Sequence, residues 1–78
     1  LAKLRTLDLR GNRLSRLPET IDKFTRLEAL RLDSNRLATL PAAVGGMKSL
    51  RQLTLTANGL TTLPAGLDSL PSLRDLQV

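Results

Sequence analysis

Residues 27–49 read LEALRLDSNRLATLPAAVGGMKS. Moved back by 23 positions, the frame reads LRTLDLRGNRLSRLPETIDKFTR from Leu4; moved forward by the same step, it reads LRQLTLTANGLTTLPAGLDSLPS from Leu50. A further copy opens at Leu73 with LRDLQV. The columns agree without a gap. Leu4, Leu27, Leu50 and Leu73 open the units; Leu7, Leu30, Leu53 and Leu76 follow; Leu9, Leu32, Leu55 and Val78 come next. Then come Asn12, Asn35 and Asn58; Leu14, Leu37 and Leu60; Leu17, Leu40 and Leu63; and Pro18, Pro41 and Pro64. Two apolar columns close the unit, Ile21/Val44/Leu67 and Phe24/Met47/Leu70. Self-similarity at a fixed period is the mark of a repeat array, in which each unit buries its apolar face against its neighbours. Residues 1–78 therefore read as one repeat domain, with units starting at 4, 27 and 50 and a partial unit at 73.

The pattern LxxLxLxxNxLxxLPxxφxxφxx, with φ apolar, resembles the leucine-rich repeat family over essentially the whole chain. The 23-residue LPxxφxxφ form is similar to intracellular Ras-group repeats and to the repeats of bacterial type III effectors. The resemblance implies an α/β fold. It is a right-handed parallel solenoid, a horseshoe fragment with short parallel strands on the concave side and 3₁₀ or irregular segments on the convex side. It also implies that Asn12, Asn35 and Asn58 form a structural asparagine ladder.

The residues point the same way. The LxL core alternates inward and outward as a short strand does, and strands of successive units would stack at about 4.8 Å. A buried asparagine can pair backbone groups where the chain turns inward. Each proline blocks continuation of the preceding element. The apolar residues three apart that follow it suit a 3₁₀ turn with one inward face. Gly45–Gly46 disfavours a long α-helix there. One local signal disagrees: LTLTANGLTTL, with Asn58–Gly59 at its centre, looks like a β-hairpin. The register sets this aside, because Asn58 aligns with Asn12 and Asn35, which precede Arg13 and Arg36.

Outward strand positions would line the concave surface, and these are the candidate partner-binding residues: Asp8, Arg10, Glu28, Arg31, Asp33, Arg51, Gln52, Thr54 and Thr56. In a parallel ladder Asp8 would flank Arg31, Arg10 would flank Asp33 and Arg5 would flank Glu28, each pair attracting by a few tenths to ~1 kcal/mol. Four strands of about five residues would present roughly 250 Å² of sheet, well below the ~800 Å² per partner of a specific interface.

The net charge is +5, from 12 Lys+Arg against 7 Asp+Glu. The concave set is close to neutral, and the excess forms a scattered basic rim (Lys3, Arg13, Arg16, Lys23, Arg26, Arg36 and Lys48) rather than a track. The one aromatic residue, Phe24, gives no stacking platform for bases, so nucleic acid is not expected as a partner. No apolar run approaches the ~20 residues that span a bilayer, and no membrane partner is expected.

There is no histidine and no cysteine. The usual general base, thiol nucleophile and soft metal ligands are therefore missing, and no serine has an evident activating partner. Neither catalysis, cofactor nor metal is expected. The reading is a protein–protein interaction module that recognises a partner through its concave surface. The alternative is a targeting or substrate-recognition domain of a larger bacterial effector enzyme, a ubiquitin ligase or nucleotidyl transferase, with its catalytic domain outside this chain. A cytoplasmic setting fits the lack of cysteine, and for a secreted effector that cytoplasm would be the host's. No polar cap is recognisable at either end, so the chain reads as a piece of a longer solenoid, or as one that associates end to end.

Overall fold

A computed structural model describes residues 3–63, 66–67 and 70–78. Each LxL segment forms a strand: β1 (Thr6–Asp8), β2 (Ala29–Arg31), β3 (Gln52–Thr54) and β4 (Asp75–Gln77). They lie parallel in one sheet, in the order β1-β2-β3-β4. Leu7, Leu30, Leu53 and Leu76 sit side by side, so the register steps by the repeat length at each pair. The strands are three residues long rather than the five expected. Backbone pairing nevertheless runs on past their ends. Glu28 N–H and Ala29 N–H donate to the Arg5 carbonyl at 2.7 and 3.0 Å, and beyond β1 Leu9 N–H reaches Arg31 and Gly11 N–H reaches Asp33, at 2.8 and 3.0 Å. The Asn58–Gly59 hairpin does not form: Leu55 N–H donates forward to Gln77, and Gly59 N–H donates back to Leu37.

The core is the stack of leucine rungs. Leu27, Leu30, Leu32, Leu37, Leu50, Leu53 and Leu55 are fully buried, each removal from water contributing roughly 1.5–3 kcal/mol. Burial is greatest in the middle units, which are covered on both sides. Leu4, Leu7, Leu9 and Leu14 of the first unit are half-buried, and Leu63, Leu76 and Val78 are exposed at the other end of the stack.

On the convex side 3₁₀ turns span Glu19–Lys23 and Ala42–Gly46. Pro18 and Pro41 precede them in extended conformation, with φ near −68° and −67°. The third proline, Pro64, lies outside the described residues. Ile21, Val44 and Leu67 face inward and are buried, as are Met47 and Leu70, while Phe24 is only half-buried. The stack is tightest where Gly45 meets Gly66: a Cβ built on Gly45 would come within 3.2 Å of the Gly66 Cα. The two glycines sit at different repeat positions, so the column alignment does not reveal this approach.

The residue before each ladder asparagine has positive φ: +71° at Gly11, +60° at Ser34 and +57° at Ala57. The turn into the ladder demands a left-handed residue, which suits glycine and strains serine and alanine.

Candidate binding face

The asparagine column holds the strands in place. Asn35 is 7% exposed. Its side-chain amide donates to the carbonyls of Leu32 (2.8 Å), Leu9 (3.0 Å) and Asp33 (3.3 Å). Its Oδ1 accepts from the backbone of Asn12 and Leu14, both at 3.0 Å. Asn58 repeats the arrangement one unit on, donating to Leu32, Leu55 and Thr56 and accepting from Leu37 N–H. Asn12, at the open side of the stack, is exposed and donates to Leu9 and Arg10. The ladder expected from the family resemblance is therefore present, and each internal asparagine ties two units together.

With the leucines turned inward, Thr6, Asp8, Ala29, Arg31, Gln52, Thr54, Asp75 and Gln77 alternate to the opposite face of the sheet. Arg10, Asp33 and Thr56 extend it past the strand ends. The register brings Asp8 beside Arg31, as expected. Among the described residues, however, none of the three expected cross-unit ion pairs forms. Asp8 pairs within its own unit: Arg10 Nε donates to Oδ1 at 2.8 Å, Arg10 Nη2 to Oδ2 at 2.7 Å, and Arg10 N–H to Oδ1 at 3.2 Å. Residues i and i+2 share a face, and the planar guanidinium fits a carboxylate in two bonds. Asp33 is likewise taken by the next unit, not by Arg10. It accepts from Thr56 Oγ1 (2.7 Å), Thr56 N–H (2.8 Å) and Thr54 Oγ1 (2.8 Å). Arg5 and Glu28 make no side-chain hydrogen bond among the described residues.

These partners shape the electrostatics. The Arg10 guanidinium holds the Asp8 carboxyl down at about 2, with smaller help from the charge of Arg31. Asp8 in turn raises Arg10. At Asp33 partial burial pushes the carboxyl up, but the Thr56 and Thr54 hydrogen bonds outweigh it and leave the group below its ordinary value.

The candidate residues thus differ in what they offer a partner. Thr54 is 6% exposed and its hydroxyl is committed to Asp33, so it is part of the platform. Asp8, Arg10 and Thr56 are exposed but internally bonded. Gln52 bridges strands, donating to Asp75 Oδ2 at 3.0 Å and accepting a long 3.5 Å contact from Arg31 Nη2. Arg51 and Glu28 make no side-chain hydrogen bond among the described residues. The sequence pattern alone does not separate the bonded from the unbonded positions. The period-two spacing of Asp8 and Arg10 was the signal available for the intra-unit pair.

Among the described residues no three of His, Cys, Asp and Glu gather as metal ligands, and no helix is long and apolar enough to cross a membrane.

Comparison with known proteins agrees with this geometry. A family model described as a leucine-rich repeat region matches residues 1–78. The fold is similar to the solved structure of a leucine-rich repeat protein from Leptospira interrogans, with a TM-score of 0.91 and 40% identity over 94% of this chain. The chain spans 19% of that protein's length. Among curated proteins none matches.

Proposed function

From the membership of this chain in the leucine-rich repeat family, we propose that it is a binding module that recognises another protein through its concave sheet face. The observation that carries the reading is the ordered polar face of β1–β4. Its backbone is fixed by the asparagine ladder and its side chains stand in register on a rigid support. A preorganised face loses little freedom on binding. The face is small against a standard interface, so further repeats or flanking loops would share the contact. The much longer Leptospira protein is consistent with that arrangement.

Site-specific photo-crosslinking tests the proposal. A benzophenone amino acid at Gln52, on the concave face, should give discrete adducts with another protein in extracts of the source cells. The same group at Lys23, on the convex side, should not. Equal labelling from both positions, or none from Gln52, would reject the reading. The effector-enzyme alternative assigns the same face to substrate recognition and places the chemistry in a separate domain. It draws its support from the family resemblance and from the chain matching a fifth of a bacterial protein.

A further inference from the structure

Three concave acids, Asp8, Asp33 and Asp75, are already committed, whereas Glu28 and the central Arg31 are not. Asp8 has both carboxylate oxygens on Arg10. Asp33 is saturated by Thr54 and Thr56. Asp75 accepts from Gln52 and Gln77. Arg31 lies between Asp8 and Thr54 in the ladder and is half-buried, yet its one side-chain bond among the described residues is the 3.5 Å contact to Gln52. Most of its five donors therefore have no protein partner among the described residues. Beside it on the same strand, Ala29 is the shortest side chain of its row, between Thr6 and Gln52. The row therefore rises least from the sheet at the position beside Arg31. Arg51 and Arg74, adjacent through the Arg74 N–H to Arg51 carbonyl bond, stand nearby as exposed like charges.

We propose that Arg31 anchors a carboxylate of an extended acidic segment in the partner protein, with that side chain lying over Ala29 and the rest of the segment running toward Arg51 and Arg74. The inference rests on the concave-face reading and adds the chemistry of the occupant. A carboxylate is favoured because a guanidinium takes it in two parallel bonds. A nucleic acid would find charge but no aromatic surface on which to stack.

The probe is a phage-displayed library of random twelve-residue peptides, selected on the whole chain. Enriched peptides should share an Asp or Glu. Synthesised peptide should shift the amide resonances of Thr6, Ala29 and Gln52. Arg31→Gln should weaken its binding by roughly tenfold to a hundredfold, the usual scale for a charge-assisted hydrogen bond, while Arg36→Gln, on an exposed loop off this face, stays within about twofold of the original. Replacing the peptide's acid by its amide should cost as much on the original chain and little more on Arg31→Gln. Peptides without a shared acid, a neutral Arg31→Gln, or no enrichment above the unselected library would overturn the proposal. So would displacement of the peptide by a dT24 oligonucleotide at equal affinity. If amide shifts stay on the concave strands while Arg31→Gln is neutral, the acidic anchor falls and the binding face stands. If the shifts lie elsewhere, the binding face itself is wrong.

Discussion

Replacing Asn35 by alanine removes the side chain with the most hydrogen bonds among the described residues. Five hydrogen bonds of 2.8–3.3 Å are lost, three donated and two accepted. The amide has two protons for three carbonyls, so at least one bond is shared, and about four count as independent. All three abandoned carbonyls keep a partner, Leu9 through Asn12, Leu32 through Asn58 and Asp33 through Gly11 N–H. The Asn12 and Leu14 N–H groups lose theirs. At about 1 kcal/mol net per bond the loss is roughly 3–4 kcal/mol. A chain of this length is stable by about 4–12 kcal/mol, so Asn35→Ala would remove between about a quarter and nearly all of that margin. Asn12→Ala breaks two exposed bonds and should cost about 1 kcal/mol or less. Urea unfolding followed by far-UV circular dichroism measures both against the parent chain. The account requires the order Asn35, then Asn58, then Asn12. An Asn35→Ala cost within about 0.5 kcal/mol of Asn12→Ala, the ordinary range of surface changes, would refute a ladder that ties units together.

Three further outcomes follow from the geometry. Gly45→Ala would force its Cβ to within 3.2 Å of the Gly66 backbone, whereas Gly46 has open space. The first substitution should cost about 1–3 kcal/mol by overpacking, and Gly46→Ala should be near neutral, both read from the urea midpoint; equal costs would contradict the close approach. Ala57, at φ +57°, should tolerate glycine with a gain of up to about 1 kcal/mol, the left-handed strain relieved less the glycine entropy. Destabilisation in a thermal melt would show that φ to be wrong. The Asp8 carboxyl sits at about 2, below its ordinary 3.8. Its stabilising effect is therefore complete above pH 4 and is lost as pH falls through that window toward 2. Carboxyl carbon shifts should titrate near 2, returning to the ordinary value in Arg10→Gln; an ordinary midpoint in the parent chain would remove the ion pair.

The period was legible because each buried column repeats one chemical demand. Leu7, Leu30, Leu53 and Leu76 occupy equivalent rungs, and Pro18 and Pro41 each stand before a 3₁₀ turn. Where a column carries different residues the demand was hidden. Gly11, Ser34 and Ala57 share a left-handed backbone that their side chains do not advertise. The partners on the concave face were less legible still. Asp8 could meet Arg10 or Arg31 for nearly equal energy, since exposed pairs differ by tenths of a kcal/mol. Detailed geometry decides such a choice, and the bidentate fit to Arg10 prevailed.

Scalar couplings across hydrogen bonds test the stacking of coils most directly. Nitrogen–carbonyl couplings should join Leu32 N–H to Thr54 and Leu55 N–H to Gln77, bonds of 2.9 and 2.7 Å between successive units. Their absence, with couplings instead joining residues on either side of Asn58–Gly59, would replace the solenoid by a local hairpin and contradict the account.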